Sequence, residues 1–311
     1  MTKENLQACH NRIIPHIHNT PVLSSRLINK MIGADVFFKC ENFQRTGAYK
    51  MRGATNAIMQ LSNEQKQKGV VTHSSGNFAQ ALSLAAQSLG VKATIIMPTN
   101  SPQVKKNAVA EYKGHIIECE PTIEARQAAA DKIVNHTSAT FIHPSNDNDV
   151  ILGQGTACLE LLKDHSNLNA VFCPVGGGGL IAGSALAANY FGNQCEVYGG
   201  EPFEADDAYR SLISGKIETN KTANTIADGL RTQLGDKNFP IIKKYVKAII
   251  RVTEEDIISA MRIIYERMKI VIEPSSAVTF AALLKEKESF KNKKIGVIIS
   301  GGNVDVINLP F

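Results

Sequence analysis

Strand-like runs alternating with helix-length segments predict an α/β protein with mainly parallel sheet. Three observations carry this. First, β-rich runs fall at 36–40, 69–72, 93–97, 115–119, 140–143, 170–174, 196–200, 248–252 and 294–300. Second, segments of helical length separate most of them, for example at 77–88, 101–112, 122–135, 150–164, 180–190, 253–267 and 275–284. Such alternation builds βαβ units. Third, Ile257, Met261, Ile264 and Met268 repeat at helical spacing, with Ile258 and Tyr265 widening the same face.

The chain has 311 residues, 43% of them hydrophobic, enough for one large domain or two medium ones. Two open sheets with a cleft between them fit better than one wide sheet, since ligands of open α/β sheets collect at the carboxyl ends of strands. Polar crossings at 144–149 and near 61–64 predict a small α/β domain, 62–145, inserted in a large domain made of 1–61 and 146–311.

A formal net charge of +5, with no basic stripe interleaved with aromatics, argues against nucleic acid. The six cysteines form no CxxC and stand at no zinc spacing with histidine. Cys40, Cys119 and Cys173 lie in apolar runs and read as buried small hydrophobes. Reduced thiols, no apolar leader and no run of about 18 apolar residues make a cytoplasmic, membrane-free protein the expectation.

The stretch ENFQRTGAYKMRGA, residues 41–54, joins a strand-like run to a helix-like one at 51–61. Thr46 and Gly47 mark a turn, and Lys50 stands at the helix mouth, where the helix dipole disfavours a cation. A buried lysine there has a lowered pKa and attacks carbonyl carbon. Lysines at random are solvated, so the weight of this reading comes from three loops downstream. His73-Ser74-Ser75-Gly76-Asn77-Phe78 opens a helix with donors suited to an anion, although alone it is an ordinary cap. Gly176, Gly177, Gly178 and Gly179 follow a strand and open a helix. Backbone N–H groups there can crowd a phosphate, and neither GxGxxG nor Walker A spacing is present. The last strand runs into Ser300-Gly301-Gly302-Asn303, where a serine can meet a cofactor ring. The acidic run at 201–207 suits a hard cation, although an acidic helix start is the simpler reading of it alone. A poised lysine, a phosphate cup and a polar strand end together suggest pyridoxal phosphate.

In the order TGAYKMRGA, SSGNFAQAL, GQGT, PVGGGGLIAG, TIADGL, EPSSA and SGGNVD, the chain resembles the fold-type II pyridoxal-phosphate enzymes. Within them it is similar to the serine racemase and serine/threonine dehydratase group. The resemblance covers almost the whole chain. It implies a tryptophan-synthase-β-like fold of two open α/β domains with the site in their cleft, and a homodimer. Lys50 would be the Schiff-base lysine and base, and Asn77 would bond the ring hydroxyl. Gly176 to Gly179 would hold the phosphate, Ser300 the pyridine nitrogen, and Tyr49 and Gly229 would flank the ring. Ser74 and Asn77 would contact the substrate carboxylate. Ser75 would be the acid/base of the opposite face, where many plain dehydratases have alanine. Arg126 and His143 would line the substrate end. Glu201, Asp207 and the carbonyl of Ala205 would hold Mg²⁺ or Ca²⁺, with Mn²⁺ as a further candidate. Phe78 departs from the histidine usual in SSGNH and removes a polar contact beside the substrate.

The implied function is elimination of water and then ammonia from a small β-hydroxy amino acid, L-serine or L-threonine. Amino acid racemisation and 3-hydroxyaspartate dehydration are the alternatives. A catalytically silent binder on the same fold has no need of the Lys50 amine.

Overall fold

The apolar runs find partners in two sheets. The computed structural model describes residues 1–311. Its strands are β1 (Val22–Leu23), β2 (Asp35–Cys40), β3 (Val70–His73), β4 (Ala93–Pro98), β5 (His115–Cys119), β6 (Thr140–Phe141), β7 (Ala170–Pro174), β8 (Glu196–Pro202), β9 (Val246–Val252) and β10 (Lys294–Ile299). The six-stranded sheet has the order β1-β2-β10-β7-β8-β9 and is parallel except for β1. The four-stranded sheet has the order β5-β4-β3-β6, is fully parallel, and draws only on residues 70–141. β7 is buried along its length and β10 nearly so, because parallel strands are covered on both faces.

The helices are α1 (Lys3–Ile13), α2 (Arg26–Ile32), α3 (Lys50–Met59), α4 (Asn63–Lys68), α5 (Asn77–Ser88), α6 (Gln103–Glu111), α7 (Ile123–Thr137), α8 (Asn148–Asp164), α9 (Gly179–Phe191), α10 (Asp207–Ser214), α11 (Phe239–Tyr245), α12 (Glu254–Met268) and α13 (Pro274–Lys285). Caps fix several starts: Thr253 accepts from the backbone of Asp256, and Asp147 from Asp149 and Val150. In α12 the expected face is buried at Ile257, Met261 and Ile264.

Some expectations are corrected. β6 ends at Phe141 rather than 143, because it pairs with β3 over two residues at the sheet edge. β9 begins at Val246, before the expected 248. β1, α1, α2, α4 and α11 had no sequence expectation; most are too short to show a period. Cys40 and Cys173 are buried, but Cys119 is only half-buried, because β5 is an edge strand. All six cysteines are free. No helix is long and apolar enough to cross a membrane.

Three helices stack with little between them. A Cβ on Gly153 of α8 would lie 2.5 Å from the Cα of Gly53 of α3, and one on Gly155 would lie 2.8 Å from the carbonyl carbon of Gly183 of α9. The GQGT segment is thus the contact surface between the helix that begins at Lys50 and the helix that begins at Gly179.

A buried ion network anchors the same helices. Arg52 is fully buried. Its Nε and Nη2 donate to Glu41 at 2.7 and 2.8 Å, and Nη1 and Nη2 to Glu160 at 2.8 and 2.7 Å. Nη1 also donates to Thr156 Oγ1 at 3.2 Å, so every N–H of the guanidinium has a partner. Lys39 Nζ lies 2.7 Å from Glu160 Oε2 and donates to Thr20 O at 2.8 Å. Burial alone would push the Glu160 carboxyl up. Hydrogen bonds from His10 and Arg52 and the charges of Arg52 and Lys39 outweigh it and hold the group well below the usual carboxylate range.

Removing one member leaves buried charge uncompensated. Glu160→Gln is expected to cost about 3–5 kcal/mol in urea unfolding at neutral pH. The folded pKa lies below the unfolded one, so this stability is complete at neutral pH and fades as pH falls through and below the ordinary carboxylate range. An unchanged unfolding midpoint would mean the network gives no net stability.

Candidate active site

Lys50 is placed by a reversal after β2. Two 3₁₀ turns, Glu41–Phe43 and Arg45–Gly47, follow the strand. Thr46 takes a positive φ of 61°, and its carbonyl accepts from Asn303 Nδ2 at 2.8 Å. Ala48 then bridges Gly301, and the Tyr49 N–H donates to Ser300 O at 3.0 Å. The first residue of α3 is thereby set against the end of β10. The Lys50 amine donates to Pro144 O at 2.9 Å and lies 5.1 Å from the Tyr49 ring centroid and 5.8 Å from that of Phe78. The residue as a whole is half-buried, but this wall encloses the amine. Burial pushes its pKa down to about 8, against the pull of Glu273. Phe78 is itself buried, so the departure from histidine supplies an apolar wall over the amine.

The turn after β3 leads into α5. Ser74 Oγ accepts from the Gly76 N–H at 3.3 Å, while the Ser75 hydroxyl makes no hydrogen bond within the protein. Asn77 is fixed at both ends of its amide. Nδ2 donates to Glu273 Oε1 and Oε2 at 2.9 and 3.0 Å, and Oδ1 accepts from Asn303 Nδ2 at 2.9 Å. Glu273 lies in the EPSSA run, where no local pattern assigns it a role. Its burial pushes the carboxyl up to about 7, although Asn77 pulls the other way.

The glycine run between β7 and α9 is buried and tightly wrapped. A Cβ on Gly176 would lie 2.8 Å from the Leu230 Cα and 3.2 Å from Gly229 O. One on Gly177 would strike the Ser145 hydroxyl. Gly178 has φ 79° and caps α9, a conformation that a side chain disfavours. Asn238 Nδ2 donates to Gly177 O at 2.7 Å. Backbone N–H groups and the dipole of a 13-residue helix meet here, which is the chemistry of an anion cup. Gly229 is held beside it by its N–H to Ser275 Oγ at 3.0 Å. Ser300 is buried, its Oγ 3.0 Å from Ser276 Oγ.

The crossing from β6 to α8 closes the site. His143 Nδ1 accepts from the N–H groups of Ser145 and Asn146 at 3.1 and 2.8 Å, so the neutral ring carries its proton on Nε2. Burial pushes its pKa down to about 4, and the charges of His73 and Lys50 add to this. His143 therefore caps the loop whose Pro144 carbonyl receives the lysine. The His73 ring is 5.7 Å away, and the charge of Arg126 bears on His73. The buried Nε of Arg126 has no partner.

Lys50, Tyr49, Asn77, Gly176 to Gly179, Gly229, Ser300 and His143 are thus linked by direct contacts and by shared neighbours: Pro144 and Ser145, Glu273 and Asn303, Ser275 and Ser276. Ser74 and Ser75 immediately precede the helix of Asn77, and Arg126 joins through His73.

Glu201, Ala205 and Asp207 form a separate buried group. Glu201 accepts from the N–H groups of Ala208 and Tyr209 at 3.1 and 2.8 Å. Asp207 accepts from Asn220 Nδ2 at 2.6 Å and from the Leu234 N–H at 2.9 Å. No lysine or arginine bridges either carboxylate, because Arg210 and Arg251 pair with Asp206 instead. Burial, and then the charge of Asp207, pushes Glu201 well above its ordinary value, and burial pushes Asp207 up to about 6. No cluster of three or more His, Cys, Asp or Glu side chains suited to a metal is present, so a cation here would rest on two carboxylates and a carbonyl.

Comparison with known proteins gives one family and close relatives. A family model described as pyridoxal-phosphate dependent enzyme matches residues 13–301. The chain is 48% identical to the serine racemase of Dictyostelium discoideum, over 99% of this chain and 97% of that protein. It is 45% identical to the beta-hydroxyaspartate dehydratase of Paracoccus denitrificans, over 100% and 98% respectively. The structure of maize serine racemase superposes with a TM-score of 0.96 at 44% identity, covering 98% of this chain and 94% of that one.

The glycine cup makes a prediction of its own. A methyl on Gly176 meets backbone, which cannot swing aside, so Gly176→Ala must shift the loop. Hydrogen bonds to a charged group are worth about 1.5–3 kcal/mol, so affinity for pyridoxal phosphate is expected to fall roughly tenfold or more. Titration of the bound cofactor by absorbance measures this, and unchanged affinity would remove the cup from the reading.

Proposed function

The chain belongs to the pyridoxal-phosphate-dependent enzyme family, and on that premise we propose that it is an ammonia-lyase. It removes water and then ammonia from a small β-hydroxy amino acid and releases a 2-oxo acid. The single observation that carries this reading is the walled-in Lys50 amine, with a pKa of about 8, beside the glycine cup.

The residues present fit the cofactor. The wrapped glycines would offer N–H groups to its phosphate, the Asn77 amide would bond its ring hydroxyl, and the neutral Ser300 hydroxyl would serve its ring nitrogen. Tyr49 and Gly229 would flank the ring. When bound, the cofactor supplies an aldehyde for the lysine and a ring that draws electrons from the substrate Cα. Lys50 Nζ, deprotonated, takes the Cα proton. Ser74, Ser75 and Asn77 hold the substrate carboxylate, with Arg126 and His143 towards the substrate's far end. The β-hydroxyl leaves as water with a proton equivalent to the one taken from Cα, and the released enamine takes up one water to give 2-oxo acid and ammonia. With the chain divided into 1–61 plus 146–311 and 62–145, these groups would lie at the junction of two domains.

A second reading, racemisation, is supported by the half-buried Ser75 in the turn that leads to Asn77 and by the relative named serine racemase. As a proton donor opposite Lys50, Ser75 would complete a two-base pair. The relatives named serine racemase and beta-hydroxyaspartate dehydratase support both activities as outcomes at one site.

Oxo acid release from L-serine, L-threonine and 3-hydroxyaspartate, in both enantiomers, tests the proposal. Turnover is expected to climb with pH up to about 8, because the amine must lose its proton to act as base. Lys50→Ala is expected to lower it by roughly 10²–10⁴-fold. Ser75→Ala is expected to cut D-serine formation and D-serine turnover by roughly 10² and to spare L-serine elimination. No oxo acid from any of these substrates would end the lyase reading, and equal loss of both activities in Ser75→Ala would make that serine structural.

We also propose that Glu201, Asp207 and the carbonyl of Ala205 hold Mg²⁺ or Ca²⁺, or Mn²⁺ in their place. Two buried carboxylates without a basic partner fit a hard divalent cation. Asp207 accepts from the Leu234 N–H, and the Leu234 side chain packs on Gly178, so the ion would steady the wall of the cup. Excess chelator is therefore expected to lower the melting temperature of metal-containing protein, and Asp207→Asn to abolish that response. A melting curve indifferent to chelator would reject the site.

A further inference from the structure

Glu273 is an odd residue for its place. It stands at the N-cap of α13, but its side chain makes no capping hydrogen bond, where Ser, Thr, Asp or Asn would be the usual choice. It is 4% exposed and has no salt bridge. A carboxylate buried without a basic partner is costly. Its side chain turns from its own helix and receives the Asn77 amide on both oxygens, at 2.9 and 3.0 Å. It also packs against the loop after Ser300, since a Cβ on Gly301 would lie 2.8 Å from Oε1.

We infer that Glu273 is a positioning residue of the elimination site: it locks the Asn77 amide against the cofactor ring and sets a carboxylate on the same side of the site as Lys50. The inference rests on the assignment of Asn77 to the ring. Asn303 fixes the amide oxygen and Glu273 the amide nitrogen, so the amide plane cannot rotate without breaking both. The charged groups that bear on Glu273 are Asp228 from the turn Asp228–Leu230 and Lys105 from α6, and Glu273 in turn bears on Lys50 and Tyr49. Asp228 and Lys105 pair with each other at 2.5 Å, so their effects on Glu273 oppose. Lys50 is the partner whose proton state matters to the reaction, and a carboxylate nearby favours its protonated form.

Glu273→Gln keeps the shape, removes the charge and sets an amide N–H against that of Asn77. In the holoenzyme three quantities are read: the absorbance maximum of the bound cofactor, the acid limb of the kcat–pH profile, and the melting temperature. The Gln variant is expected to shift the absorbance maximum, to move the acid limb down by about one pH unit, and to lower kcat roughly tenfold or more, the usual worth of a group that orients a contacting residue. Asn77→Ala is expected to shift the absorbance maximum as well. Should the Gln variant not fold, Glu273→Asp keeps the charge with a shorter reach, and is expected to shift the absorbance maximum while leaving the acid limb in place. If Asn77→Ala shifts the maximum and the Glu273 variants change only the melting temperature, Glu273 is a structural residue of α13 and the inference falls alone. If Asn77→Ala leaves the maximum untouched, the assignment of Asn77 to the ring falls, and the inference with it.

Discussion

The buried Arg52 guanidinium is the interaction on which the site depends. It sits two positions after Lys50 on one helix, so the two side chains point to nearly opposite sides. One faces the reacting groups and the other the interior. Saturating Arg52 with Glu41, Glu160 and Thr156 ties the segment after β2, α3 and α8 into one unit. Lys39 and His10 join β2 and α1 to the same carboxylate. A lysine with a lowered pKa is useful only if its amine is held in one place, and here the other face of its helix is held by fixed charges.

Around that anchor, the working loops leave the carboxyl ends of parallel strands. Lys50 follows β2, Ser74 to Asn77 follow β3, the glycines follow β7, Glu201 lies at the end of β8, and Ser300 follows β10. Parallel strands deliver their loops to one side, and helices returning over the sheets keep the other side closed. The two sheets share a continuous core, since Val70 and Ile95 of the smaller join Ile151 and Ile181 of the helices on the larger.

Much of this was legible in the sequence because it is local. Strand–helix alternation, the lysine at a helix mouth and four adjacent glycines need no knowledge of distant residues. The missing parts of the site lie mostly at long range. Glu160 meets Arg52 across 108 positions and Glu273 meets Asn77 across 196, and no periodic pattern records such pairs. A glutamate at an N-cap was the available hint for Glu273. His143 misled for a different reason. It ends an apolar run that reads as strand, but its ring nitrogen receives two backbone N–H groups, and that turns the chain out of the sheet.

The glycine contacts of α8 have a meaning beyond packing. Lys50 begins α3 and the anion cup begins α9, and α8 lies between them with backbone touching backbone on both sides. The three helices act as a gauge block that fixes the span from amine to cup. A methyl added at Gly153 or Gly155 would lengthen that span without touching either end. Lesions in GQGT would then masquerade as active-site defects, and anyone redesigning the pocket has to treat this segment as part of its ruler.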